Sequence, residues 1–234
     1  MMSKTFFLDG RMTAHLAWQI FTSREACLTQ LADDLGRLLR AAQQEQDMVS
    51  LLLPGGSSPA ALLPLLAEQE LDWRALRISP TDERWVAADA PQSNWRLLYS
   101  GLPKAFVLDP RQAEHIEQAA QNWGEQVASW APFSAVLLGM GEDGHVASLF
   151  PPLDDQAACG EAACMSLAAQ PPVQRISLQL GLLLRSQWLG LLAFGTAKQR
   201  LLQQIQARPQ CYAELPITRL LAASDRPLTV YWAP

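Results

Sequence analysis

The sequence predicts an α/β fold built on a mainly parallel sheet, and three observations predict it. Short apolar runs alternate along the chain with stretches of helical periodicity, the order expected of strands and crossover helices. Runs such as Val49–Leu53 are continuous, without polar alternation, as strands covered on both faces are. Glycine-containing turns follow several runs and lead into helices, which is where open α/β sheets hold their ligands.

The elements follow in order. From Ser23 to about Gln44, Leu28, Leu31, Leu35, Leu38 and Leu39 recur at helical spacing, and Ser23 with Glu25 suits a helix start. Val49–Leu53 is a buried strand. Pro54-Gly55-Gly56-Ser57-Ser58-Pro59 is a turn into a second helix reaching Leu66, with Ser58 as its cap and Pro59 at its first position. Leu76-Arg77-Ile78 is a strand, Ser93 to Tyr99 a short helix, Gln112 to Trp130 a longer one, and Ala135–Leu138 a strand. Pro151 to Pro172 is the least regular stretch and reads as an insertion or long loop. Arg175-Ile176-Ser177-Leu178 begins an element, Trp188–Phe194 is a strand, Thr196–Gln206 a helix, and Leu228–Trp232 a closing strand. With no repeat and no Gly/Ser-rich linker, residues 1–234 read as one α/β domain.

Composition narrows the function. The chain is 49% apolar and carries a formal charge of −5, so it has core material in plenty and no overall field for nucleic acid. No apolar run approaches the ~20 residues of a membrane span. Met1 to Arg11, with Phe6-Phe7-Leu8 broken by Asp9, is not a secretory signal. Cys27, Cys159, Cys164 and Cys211 fit no zinc spacing and read as reduced thiols of a cytoplasmic protein. The expectation is a cytoplasmic chain with no metal, no membrane and no obligatory protein partner.

Four strand-end segments carry groups suited to chemistry. Gly55-Gly56-Ser57 offers close backbone approach and a helix N-terminus, a ready anion site; by itself it is equally an ordinary turn, and the Gly-Lys-Ser/Thr ending of a nucleotide loop is missing. Asp82-Glu83-Arg84 joins carboxylates suited to sugar hydroxyls to a guanidinium suited to phosphate; on composition alone a solvated loop explains it better. Gly139-Met140-Gly141-Glu142-Asp143-Gly144-His145 runs from a strand into a histidine, and imidazole is a base for water near neutral pH. The alternative is a turn histidine bonded to backbone. Phe194-Gly195-Thr196-Ala197-Lys198 puts a cation in a helix's first turn, against its dipole, a conflict that a bound anion resolves; an exposed lysine is the plainer reading. Arg175 alone says nothing, and His15 and His115 lack comparable context. Together the segments suggest a sugar-phosphate site.

Taken in order, Gly55-Gly56-Ser57-Ser58-Pro59, Asp82-Glu83-Arg84-x-Val86 with Ser93-Asn94, Gly139-x-Gly141-x-Asp143-Gly144-His145-x-Ala147-Ser148-Leu149-Phe150-Pro151, Arg175-Ile176-Ser177-Leu178 and Gly195-x-x-Lys198 resemble the 6-phosphogluconolactonase family. The resemblance spans about residues 50 to 200, and the segment from Asp143 to Pro151 is its most specific part. It implies a Rossmann-like three-layer α/β/α fold, shared with glucosamine-6-phosphate deaminase and ribose-5-phosphate isomerase, and no cofactor. It implies hydrolysis of a phosphorylated sugar lactone with His145 as the base. Asp143 orients the loop or a substrate hydroxyl, and Asp82 meets sugar hydroxyls. Arg84, Arg175 and Lys198 are the phosphate candidates, assisted by Gly55, Gly56 and Ser57. No covalent serine chemistry is implied, since no Gly-x-Ser-x-Gly elbow is present. The deaminases continue from the histidine with Ile-Ala-Phe-Asn-Glu-Pro, and Phe150 stands at the position of their glutamate, which favours the lactonase. A deaminase or isomerase is the competing enzyme, and a sensor that kept the site without turnover is the competing non-enzyme. The family often has Pro after the Val of Asp-Glu-Arg-x-Val, whereas Ala87 follows here; a small loop difference is expected.

Overall fold

The computed structural model describes residues 16–153 and 162–234; His15 and Cys159 lie outside them. The elements in chain order are β1 (Leu16–Ile20), α1 (Arg24–Glu45), β2 (Val49–Leu53), α2 (Ser57–Ala67), β3 (Leu76–Pro80), β4 (Asp82–Arg84), α3 (Asn94–Gly101), β5 (Phe106–Val107), α4 (Ile116–Ala128), β6 (Ala135–Gly139), β7 (Ala163–Leu167), β8 (Gln174–Leu178), α5 (Leu180–Leu183), β9 (Leu189–Phe194), α6 (Thr196–Ala207), α7 (Pro216–Ala223) and β10 (Leu228–Ala233).

Seven strands form one sheet in the order β1-β10-β9-β6-β2-β3-β5, and all their pairings are parallel. Strand alternation produces the layers. Leu52, Val136, Leu138, Leu191 and Val230 face one core with Trp123 of α4, Leu202 of α6 and Leu220 of α7. Their neighbours Leu51, Leu53, Leu137, Leu192 and Tyr231 face the other, with Leu31 and Leu35 of α1, Leu62 of α2 and Leu98 of α3. Helices thus cover both faces, the three-layer α/β arrangement that the sequence predicted.

From β2 the chain moves outward to β3 and β5. It then returns through α4 to place β6 on the other side of β2, and continues outward through β9 and β10. The direction of winding reverses between β2 and β6. Both crossovers leave that point from carboxyl ends, so a crevice opens there, the usual ligand position of such sheets.

A second sheet of three strands, β4-β8-β7, is antiparallel. Ile176 and Leu178 of β8 and Ala163 of β7 join the core beneath α4. This sheet corrects two expectations. Part of the Pro151–Pro172 stretch is strand β7, and Asp82–Arg84 is a strand rather than a loop. Two helix starts also differ. α2 begins at Ser57 with Gly56 as its cap, at φ +104, and no side chain caps it; Pro59, third in the helix, sacrifices an N–H that the first turn leaves unbonded in any case. α4 begins at Ile116 rather than Gln112. The Asp109 carboxylate takes the Arg111 N–H at 3.0 Å, and this side-chain bond competes with helix just before it.

Candidate active site

A cavity of about 470 Å³ opens at the winding reversal, walled by Pro54 to Pro59 after β2, Asp82 and Arg84 of β4, Asn94, Gly139 at the end of β6 with Met140, Asp143 and His145 after it, Ala147, Ser148, Phe150, Arg175 and Lys198. The volume suits a small metabolite. Every site residue expected from sequence lies on this wall: Gly55, Gly56, Ser57, Asp82, Arg84, Asp143, His145, Arg175 and Lys198. His115 does not; it precedes α4 on the exterior.

His145 stands on a tight loop after β6. The Gly141 N–H donates to the His145 carbonyl at 3.0 Å, and the Gly144 carbonyl accepts from the Ile217 N–H of α7 at 3.1 Å. Asp143 Oδ1 lies 2.6 Å from His145 Nδ1 and 3.2 Å from its backbone N–H. One carboxylate oxygen therefore fixes both the backbone and the ring of the histidine. A carboxylate accepts only, so Nδ1 carries the proton in this pair and Nε2 is left as a lone-pair acceptor. The ring stays 32% exposed, open to water, and Phe150 packs against it at 4.9 Å between centroids.

Strand alternation divides the three charges of Asp82-Glu83-Arg84 between two faces. Asp82 and Arg84 face the cavity. Glu83 points away and has no exposed surface. Its oxygens accept from the N–H groups of Asn94 and Trp95 in the first turn of α3 at 2.8 and 2.7 Å, and from Ser93 Oγ at 3.1 Å. Arg111 closes the ion pair at 3.0 Å. Glu83 is thus a helix-capping anion, stabilised by the positive end of α3. Its burial positions its two neighbours and leaves it no route to a ligand.

Across the β4–β8 ladder Arg84 stands directly opposite Arg175. Like charges facing each other are unfavourable, and burial together with Arg84 lowers the Arg175 pKa from the ordinary arginine range, against the pull of Asp82 and Glu83. Arg84 donates to the Gln92 carbonyl at 2.5 Å and Arg175 to that of Pro172 at 2.8 Å. Each keeps further N–H groups, so the pair forms a positively charged wall suited to an anion. Lys198, in the first turn of α6, is half-buried, and burial pushes its pKa below the usual lysine range while Glu142 pulls it back up. The N-termini of α2 and α6 have no side-chain caps, which leaves their first N–H groups available to an anion.

Two wall residues, Asn94 and Ser148, were given no role from sequence, and Phe150 was read only as a departure from the deaminases. Asn94 is buried; its Nδ2 donates to the Asp82 carbonyl at 2.8 Å and its side chain lies against Gly55, where an added Cβ would fall 1.7 Å from Oδ1. Gly55 is glycine because that space is taken. Ser148 donates from Oγ to Asp82 Oδ2 at 2.6 Å, and Phe150 covers the histidine. The only sequence signal for Asn94 and Ser148 was their place in a motif. Among the described residues, no three His, Cys, Asp or Glu side chains gather as a metal site, and no helix is long and apolar enough to cross a membrane.

Known proteins resemble this chain in sequence and fold. The chain is 35% identical over 229 residues to a 6-phosphogluconolactonase of Rhizobium meliloti, covering 92% of this chain and 97% of that one. It is 35% identical over 215 residues to one of Pseudomonas putida, covering 87% of each. The crystal structure of a 6-phosphogluconolactonase from Shewanella baltica superposes with a TM-score of 0.86 at 29% identity, over 96% of this chain and all of that one. A model of the glucosamine-6-phosphate isomerases/6-phosphogluconolactonase family matches residues 22–232. With the family model matched over most of its length and relatives 35% identical across it, this chain belongs to the glucosamine-6-phosphate isomerase/6-phosphogluconolactonase family.

Proposed function

We propose that this chain hydrolyses 6-phospho-D-glucono-1,5-lactone to 6-phospho-D-gluconate, with His145 as general base on water and no covalent intermediate. The observation that carries the reading is the Asp143–His145 pair: at 2.6 Å it dedicates Nδ1 to the carboxylate and leaves Nε2 to take a proton. In the proposed course Nε2 removes a proton from a water as its oxygen adds to the lactone C1. Backbone N–H groups of the glycine turns stabilise the resulting oxyanion. The C1–O5 bond then breaks, O5 receives the proton from the imidazolium, and the new carboxylic acid ionises into solvent. Arg84, Arg175 and Lys198, with the Gly55-Gly56-Ser57 turn, anchor the phosphate. The same reading takes residues 1–234 as a single α/β domain around this cavity.

Phe150 supports the lactonase over the deaminase. Its ring lies on His145 where the deaminases carry a glutamate, so the imidazole has no acid partner on that side. The test follows decay of freshly made 6-phosphogluconolactone by NMR with and without protein, after subtracting spontaneous opening. Acceleration that falls about 10²–10⁴-fold in His145→Ala is the expected result, with Arg175→Ala raising KM. A folded His145→Ala protein that keeps full rate removes the base assignment. Ammonia release from glucosamine 6-phosphate overturns the substrate.

A further inference from the structure

The loop that carries His145 is held in a conformation its sequence does not favour. Ala147 has φ +51, the one positive φ outside glycine among the described residues, in a region that L side chains rarely occupy. It sits between two anchors. Val146 makes bridges to Met140 and Leu149 on one side. On the other, Ser148 is fixed twice: its N–H donates to Ser177 Oγ at 3.1 Å and its Oγ donates to Asp82 Oδ2 at 2.6 Å. Asp82 and Ser177 are themselves partners across the β4–β8 ladder, and Arg84 and Arg175 are the pair two residues along the same two strands.

Side chains two apart on a strand share a face at ~6.5–7 Å. One face of the small sheet therefore carries both the seat of the histidine loop and the paired guanidiniums, at a spacing set by backbone geometry. Asp82, Ser148 and Ser177 are 7%, 1% and 0% exposed, and Ser177 is not part of the cavity wall. With Oδ2 occupied by Ser148 and Oδ1 3.3 Å from Thr81 Oγ1, Asp82 is engaged with protein on both oxygens.

We propose that Asp82, Ser148 and Ser177 form a positioning clamp that holds the strained His145 loop against the small sheet and so sets the distance from the imidazole to the Arg84–Arg175 pair. The proposal rests on His145 being the base, and it makes Asp82 a positioning residue rather than a ligand of sugar hydroxyls.

A double-mutant cycle tests it. Ser148→Ala and Ser177→Ala are each made in the native chain and in His145→Ala. In the native background each lowers kcat about 10–100-fold, the effect expected of a base displaced by roughly 1 Å. The KM for lactone and the Kd for 6-phosphogluconate stay within about two-fold, because the anion wall is untouched. In the His145→Ala background neither substitution lowers the residual rate further, since the clamp acts only through the histidine. Should Ser148→Ala fail to fold, Ser177→Ala carries the cycle, as it removes one acceptor hydroxyl and leaves Ser148 and Asp82 in contact. Unchanged kcat in the native background, an undiminished effect in His145→Ala, or a change confined to KM overturns the clamp while leaving His145 as the base. Full activity of His145→Ala alone overturns both, and so separates failure of the parent reading from failure of the clamp.

Discussion

Replacing Asp143 by Asn and by Ala separates the geometry of the histidine pair from its charge. Asp143 Oδ1 accepts from both the ring Nδ1 and the backbone N–H of His145, at 2.6 and 3.2 Å. An asparagine can therefore present its carbonyl oxygen to both donors and turn its amide nitrogen to solvent, because the Asp143 side chain is 53% exposed. The ring keeps its tautomer, and only the negative charge is lost. In the proposed mechanism that charge acts on the imidazolium formed in the transition state, at ~4 Å, where its attraction runs from ~1 kcal/mol in water to ~4 kcal/mol at an effective dielectric of ~20. The exposure of both partners puts the pair near the watery limit, at about 1–2 kcal/mol, and Asp143→Asn then lowers kcat about 5–30-fold.

Asp143→Ala removes the acceptor itself. Hydrogen bonds to charged groups contribute about 1.5–3 kcal/mol, and both the ring and the loop backbone lose their partner, so kcat falls about 10²–10³-fold, approaching His145→Ala. The assay is NMR-monitored lactone decay at several substrate concentrations, with the spontaneous rate subtracted, so that kcat and KM are read separately; KM stays within about two-fold in both variants. Two results would refute the reasoning. If the asparagine variant is as impaired as the alanine one, the shared oxygen is not what orients the ring. If the alanine variant keeps native kcat, Asp143 does not orient it at all.

The remaining predictions concern the walls and the core. Lys198→Met raises the KM about 10–100-fold, as loss of one charge-assisted anion contact should. The same variant raises the Tm of the ligand-free protein, since burial disfavours the ammonium in the folded state; an unchanged KM removes Lys198 from the anion site. Gly55→Ala lowers stability by about 1–3 kcal/mol, the range of an overpacked site, because its Cβ meets the Asn94 side chain at 1.7 Å. In the Asn94→Ala background the penalty shrinks, and denaturant melts of the four proteins check the coupling. Burial pushes the Cys27 thiol up to about 12, so at pH 8 Cys27 resists alkylation while exposed Cys211 reacts, as peptide mapping by mass spectrometry reads directly.

How much of this was legible in the sequence follows from burial. β2, β6, β9 and β10 lie inside the seven-stranded sheet; covered on both faces, they are written as unbroken apolar runs. β1 is an edge strand whose residues, Leu16–Ile20, are all at least partly exposed. It carries no such signature and went unread. α7 (Pro216–Ala223) and strands β4 and β7 of the small sheet were missed as well, and β8 was read only as the start of an element. β4 has only three residues, all charged, and what makes it a strand is a ladder to β8, some ninety residues on, which no local pattern encodes. The strand-end motifs were legible because the histidine, glycines and basic residues of the cavity wall lie in short contiguous segments.

The charged triplet shows where such reading stops. Asp82, Glu83 and Arg84 look like one cluster in the sequence, and a contiguous cluster invites one role. A strand gives adjacent residues opposite faces. Burial then assigns them three distinct tasks: Asp82 against Ser148, Glu83 against the first turn of α3 with Arg111, and Arg84 toward the cavity beside Arg175. The residue with the least exposed surface, Glu83, is the one whose removal would leave the α3 amides without their acceptor and Arg111 with Asp109 as its remaining carboxylate. Leaving such groups buried and unpaired is among the larger single-residue penalties a protein meets. Glu83→Ala is therefore a folding lesion, whereas changes to the two residues flanking it act on the site. Neighbours in the chain thus fall into different classes of variant, and strand periodicity rather than sequence proximity sorts them.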